Sequence, residues 1–313
     1  MAKRRSSSKK AQPPTTVIHI QDAVDLARAW LYERSDYYGF LARREQTRGA
    51  PELARHLRGD LLAKQGRDGS WGDGNLAATS EAIWRLLDLG IPSDSGAVAR
   101  GLDWLFGQRD QDGAYGFGCT PARHEQRLCE HYVSGFFSPG APDDPQELTL
   151  PNGQSVTSDV GARLLASQRA LRSVLRANRA DPRAVASVSG LRSLPLYLDY
   201  GGSFTPALSV GALQALAWAD GPQSSELTTG LETLAREQGK DGAWPNVELF
   251  FVLETLLEVR SSSSLQMLQD VIPRLVEGQM KNGAWGRRHQ AAQTWIAVQV
   301  LERADVRTRR SAG

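Results

Sequence analysis

Residues 65–72 read QGRDGSWG, and three further stretches read nearly the same: QRDQDGAYG at 108–116, QGKDGAWP at 238–245 and QMKNGAWG at 279–286. Each has a glutamine, an acidic or amide residue before a glycine, then a small residue and an aromatic. Each also lies between two stretches of helical apolar periodicity. The pattern predicts a turn joining two helices, repeated along the chain. GGSF at 201–204 keeps the glycine and the aromatic and has lost the glutamine. The glycines Gly69, Gly113, Gly202, Gly242 and Gly283 are therefore 44, 89, 40 and 41 residues apart. The long gap is close to two periods, so a sixth copy is expected near its middle. Gly153 in PNGQSV stands there, with Ser155 in the aromatic's place. The surrounding LTLPNGQSVT reads equally as a β-hairpin, an Asn-Gly turn between apolar and β-branched residues. The two readings coexist if a hairpin insertion near 148–157 replaces a lost outer helix.

One period, between Trp71 and Gln108, unpacks into two amphipathic helices. The first is expected at about 76–89, with Ala78, Ala82, Trp84, Leu86 and Leu87 on its apolar side. The second is expected at about 97–106, with Val98, Leu102 and Leu105, and Gly90, Pro92 and Ser93 separate the two. Neither helix buries its stripe alone, so hairpins of about 40 residues must stack on their neighbours. The last copy runs into Trp295, Ile296, Val298 and Leu301, without the polar face of a capping repeat. The expected fold is all-α: a closed α/α toroid of six inner and six outer helices over residues 17–305. Residues 1–16, rich in Lys, Arg, Ser and Pro and without the apolar segment of a secretory signal, read as a disordered basic tail. Residues 306–313 read as a second basic tail.

Of the 313 residues 41% are hydrophobic and 23% charged, which excludes a disordered, collagenous or membrane-spanning main body. Net charge is +2, yet Lys3, Arg4, Arg5, Lys9 and Lys10 supply five positive charges, so the rest sums to about −3. There is no strong nucleic-acid signal. No apolar run is long enough to span a membrane. Two cysteines make no disulfide framework, and a reducing cytoplasmic setting is expected.

The Gln-x-x-Asp-Gly-x-Trp signature at this period resembles the repeat of squalene and oxidosqualene cyclases and of protein prenyltransferase β subunits, the α/α-toroid superfamily. In those proteins the glutamine amide packs against the aromatic and ties neighbouring helix ends. Gln65, Trp71, Gln238, Trp244, Gln279 and Trp285 are accordingly read as structural. The resemblance implies an isoprenoid-processing enzyme, like a terpene cyclase or prenyltransferase, acting in the central funnel of a single toroid. Two alternatives stand beside it: a non-catalytic ring that binds a lipid or a partner protein, and a zinc-dependent peptide-modifying enzyme. With one ring only, the chain would work alone, pair with itself or recruit a companion.

Counting six residues on from each glycine, Gly153 included, gives Asn75, Cys119, Asp159, Leu208, Glu248 and His289. These should stand at equivalent places around the funnel, at the starts of the inner helices. Asn75 and Asp159 suit helix capping, whereas Cys119 and His289 are poor caps and mark a site. Cyclisation begins with protonation of an alkene by a dry carboxylic acid and proceeds through a carbocation walled by aromatics. The Asp-x-Asp-Asp acid motif of squalene cyclases is absent, and the only adjacent aspartates, Asp143 and Asp144, lie in the loop-like SPGAPDDP. Asp159 and Glu248 take the acid's place by position, with His289 as a third catalytic candidate. Tyr132, Phe251 and Trp295 are candidates to wall the cavity. Arg123, Arg127 and Arg288 would make its mouth basic and suit a diphosphate or another acidic group. Cys119, His124, Cys129 and His131 carry zinc-ligand chemistry. At about 100° per residue one helix cannot aim all four at one ion. Cys119 with His124, or with His289 from another repeat, is the arrangement left, and the Asp-x-Cys pair of the zinc-binding relatives is missing.

Overall fold

The computed structural model describes residues 20–46, 50–108, 147–157, 159–193, 200, 205–221 and 224–311, with side chains omitted at 46, 159–160, 193 and 304–311. The helices in chain order are α1 (Ile20–Tyr32), α2 (Tyr37–Gln46), α3 (Pro51–Ala63), α4 (Leu76–Asp88), α5 (Gly96–Gly107), α6 (Asp159–Asn178) and α7 (Pro182–Ser193). They continue as α8 (Pro206–Asp220), α9 (Ser225–Glu237), α10 (Leu249–Val259), α11 (Ser262–Asp270), α12 (Ile272–Gly278) and α13 (Gln290–Ser311). Strands β1 (Leu148–Thr149) and β2 (Ser155–Val156) pair antiparallel, Leu148 opposite Val156.

The inner helices pack in the order α4, α6, α8, α10, α13, and the short α2 fills the gap between α13 and α4. Outer helices α1, α3, α5, α7, α9 and the broken pair α11–α12 back them. This is the expected α/α toroid. No helix among the described residues is long and apolar enough to cross a membrane.

Three copies of one joint hold the ring. Gln65, Gln238 and Gln279 each donate from Nε2 to the carbonyl of their own turn glycine, Gly69, Gly242 or Gly283, at 3.0 Å. The same nitrogen donates to a carbonyl of the next outer helix: Ala97 at 2.9 Å, Met267 at 3.1 Å and Ala23 at 2.8 Å. Trp71, Trp244 and Trp285 bury their rings and donate from Nε1 to Leu61, Leu234 and Leu275, each ten residues back. Leu61, Leu234 and Leu275 lie in the last turns of α3, α9 and α12, so the indoles serve carbonyls at helix ends, and each buried indole contributes about 2–3 kcal/mol. Gly283 shows why the turn needs glycine: φ is +89°, and a Cβ would stand 2.5 Å from the carbonyl oxygen of Leu26 on α1. The last joint therefore lands on the first helix, and the ring closes with the device that builds it. Arg28 of α1 pairs with Glu302 of α13 at the same seam.

One expectation is completed and one changes. Gly153 turns the β-hairpin and also repeats the backbone turn of the joints: its N–H donates to the Leu150 carbonyl at 2.9 Å, as those of Gly69, Gly242 and Gly283 do three residues back, and Gln154 N–H donates to Asn152 Oδ1 at 3.0 Å, while the glutamine and the indole are missing. The sixth helical hairpin is α1–α2, whose connection at 33–36 contains no glycine. The predicted helices at 76–89 and 97–106 are α4 and α5. Trp84, placed on the apolar side of α4, instead faces the centre of the ring, while Leu76, Ile83 and Leu86 carry the packing.

Candidate ligand cavity

Glu248 and His289 stand immediately before α10 and α13, and the fold brings them together. What lies between them is the tip of the β-hairpin: a Cβ on Gly153 would be 3.5 Å from His289 Cδ2 and 3.7 Å from Glu248 Cδ. Gln154 Oε1 accepts from the Glu248 backbone N–H at 2.9 Å, and Gln293 Nε2 donates to the Asn152 carbonyl at 2.9 Å. The hairpin thus stoppers the ring at the N-terminal ends of these inner helices. Burial raises the Glu248 carboxyl above its ordinary value, with the hydrogen bond from the Phe250 backbone pulling against it.

The other predicted residues scatter. Asn75 caps α4 through its side chain, accepting from Ala78 N–H at 2.9 Å. Asp159 is the first residue of α6, and Leu208 is buried in α8. Phe251 is wholly buried in the core and does not line the cavity, because α10 turns that face outward to its neighbours; Arg288 and His289 are exposed. Trp295 lines the central cavity. Cys119, Arg123, His124, Arg127 and Tyr132 lie outside the described residues. Among the described residues no three His, Cys, Asp or Glu side chains are grouped as a metal site.

The cavity measures about 560 Å³ and runs along the ring axis from Asn152 to the C-terminal ends of α4 and α10. That volume suits a drug-sized or isoprenoid-sized molecule. Its side walls are Tyr37, Tyr38 and Leu41 of α2, Leu257 of α10, and Trp295 and Ile296 of α13. Its exposed lining residues, Arg44, Glu45 and Arg260, are all at the end away from the hairpin.

The floor is charged. Arg172 on α6 is almost completely buried and binds both Glu254, at 3.0 Å, and Glu258. Arg169 reaches Glu254 at 3.4 Å and Glu81 of α4 at 3.5 Å. Asn152 Nδ2 donates to Glu254 at 2.7 Å, so the hairpin tip is tied into this layer. Gln214 and Trp218 of α8 donate to Glu258 from behind, the indole at 2.8 Å. The guanidinium of Arg172 lies 3.4 Å from the Trp84 ring centre and that of Arg176 4.1 Å away. Burial pushes both glutamates up, but they diverge. Arg169 and Arg172 hold Glu254 below its ordinary value. Glu258 stays above its own: Arg172 opposes burial there and the negative Glu254 reinforces it.

None of the charged floor residues was singled out from the sequence. The signal was present: Glu254 and Glu258 stand four apart in the otherwise apolar LFFVLETLLEV, and Arg169, Arg172 and Arg176 recur three and four apart in α6. Charges on one face of helices that belong to an inner ring can meet only at its centre.

No protein-family model and no curated protein matches the chain by sequence. Solved structures do match in fold. A protein from Actinoplanes superposes with a TM-score of 0.61 at 15% identity, covering 91% of this chain and 99% of that one. The type II terpene cyclase MstE from Scytonema, in complex with geranylgeranyl dihydroxybenzoate, gives 0.59 at 14% identity over 91% and 97%. The same cyclase with its product merosterolic acid A gives 0.56 at 15% identity over 91% and 96%. The chain thus has the fold of a type II terpene cyclase.

Proposed function

We propose that the chain is an isoprenoid-processing enzyme of the terpene-cyclase kind, with its substrate in the central cavity. The observation that carries this reading is a cavity of about 560 Å³ with aromatic and apolar walls and a buried carboxyl, Glu258, at its floor. Tyr38 and Trp295 are the rings free to face a developing carbocation. In the proposed step, protonated Glu258 gives its proton to one carbon of an alkene. The cation left on the other carbon is attacked by a second double bond of the same chain, and loss of a proton closes the cycle. Both Glu258 oxygens accept from Arg172, with Gln214 and Trp218 behind, so the step requires Glu258 first to part from Arg172 and take up a proton; Glu254, paired with Arg169 and Arg172, is the better base. The test is incubation of the full chain with farnesyl, geranylgeranyl and squalene substrates. Cyclised isomers are expected, abolished in Glu258→Gln with binding retained. No product from the unaltered chain overturns the reading.

A second reading, a non-catalytic lipid-binding ring, is favoured by one observation: two guanidinium groups already occupy the face of Trp84, where a carbocation would need it. Binding of the same isoprenoids without turnover would select it. The zinc-dependent alternative rests on Cys119 and His124, and metal analysis of the purified protein tests it.

A further inference from the structure

The arginines around the cavity are of two kinds. Arg169 and Arg172 are matched by Glu81, Glu254 and Glu258, and Arg44 donates to the Asp88 carbonyl at 2.7 Å. Arg260, at the end of α10, and Arg303, on α13, have no carboxylate partner among the described residues. Both line the end of the cavity away from the hairpin. Carboxylates also line the cavity, but each is engaged elsewhere. Glu302 pairs with Arg28, Glu45 accepts from Gln299, Asp88 pairs with Arg176 at 2.8 Å, and Glu258 pairs with Arg172. A helix dipole favours a cation near a helix C-terminus. It does not explain two cations facing one cavity while four carboxyl groups of the same lining turn to other partners.

The geometry is set rather than casual. Arg303 donates from Nη1 to the Leu257 carbonyl at 2.8 Å, which fixes one edge of its guanidinium against α10. Arg260 closes α10 in a left-handed backbone, φ +56°, with its N–H on the Leu256 carbonyl, and this cap fixes where its side chain leaves the helix. Burial, reinforced by the neighbouring Arg260, holds the Arg303 guanidinium below its ordinary value. An anion between them would relieve that repulsion.

We propose that Arg260 and Arg303 receive the oxyanion head of an amphipathic isoprenoid whose chain lies in the cavity along Leu257, Trp295 and Ile296. The proposal rests on the reading that this cavity holds an isoprenoid, and it adds the ligand's polar end and its direction. Phosphate and carboxylate heads share the chemistry: oxygens that accept paired N–H bonds from a guanidinium. The head stays at the open rim and the hydrocarbon leads inward toward Tyr38 and the charged floor.

Calorimetric titration of the full chain with farnesyl diphosphate, farnesoic acid and farnesol tests it. One or both anions are expected to bind at least about tenfold more tightly than farnesol. The tighter of the two identifies the head group. Arg260→Gln and Arg303→Gln are each expected to weaken the anion about tenfold and to leave farnesol unchanged. Arg303→Lys should keep more affinity for the diphosphate than for the carboxylate, because lysine lacks the planar fork. Unaltered thermal unfolding in these variants separates ligand recognition from a structural role. Farnesol binding as tightly as both acids, or variants that bind the acids like the unaltered chain, overturns the proposal and leaves the isoprenoid reading standing. If none of the three compounds binds, both fall.

Discussion

The two ends of the ring are built from opposite materials. At the end where α10 and α13 begin, the β-hairpin pushes Asn152 and Gly153 between Glu248 and His289, and hydrogen bonds of the Gln154 and Gln293 side chains to backbone seal it there. Where α10 finishes, the lining is exposed and carries Arg260 and Arg303 without carboxylate partners among the described residues. A stoppered end and an open end make a cup from what would otherwise be a tube. The difference teaches that repeat symmetry locates equivalent backbone positions, while an insertion decides which of them a ligand can reach.

The comparison breaks most visibly at the floor that both ends share. Arg172→Met leaves Glu254 and Glu258 buried without their common cation and is expected to cost about 3–5 kcal/mol, read by denaturant unfolding. A loss below about 1 kcal/mol would mean the layer is not dry. Next is the stopper. Asn152→Ala removes the N–H held by Glu254 and is expected to cost about 1–3 kcal/mol. It should also act through pH. A carboxyl held below 4.5 in the fold stabilises the protein above that pH, and the contribution is lost as pH falls through the lower folded value. Asn152→Ala, by raising that folded value, should move the acid-unfolding midpoint upward. Glu258 has the other sign: product formation that needs its proton should fade as pH rises through its raised value. The smallest effect belongs to the stoppered end, where His289→Ala is expected to change stability by about 0.5 kcal/mol or less and ligand affinity not at all. A large loss of affinity there would reopen that end as the site.

The joints were the most legible part of the chain, because a turn that needs glycine, an amide and an indole at fixed spacing repeats the same local chemistry wherever it occurs. Gln279 and Trp285 could be assigned before any partner was known, and the ring closure onto Ala23 follows the same rule. The hairpin was half legible: its Asn-Gly turn announced it, but a strand pairing of two residues each says nothing about what the tip will touch. Trp84 was misread because an aromatic on an amphipathic helix gives the same periodic signal whether it meets a core or a cavity. The floor was hidden for a different reason. Arg172 and Glu258 are 86 residues apart, and only the curvature of the ring makes them neighbours. The six-residue offset did find the starts of α10 and α13, and Glu248 and His289 do converge there.

The direct test is a crystal structure of the chain with farnesyl diphosphate bound. The account predicts the hydrocarbon against Trp295 and Ile296, the diphosphate on Arg260 and Arg303, and the hairpin still in place. Density for the ligand beside Glu248 and His289, with the hairpin tip displaced, would contradict it.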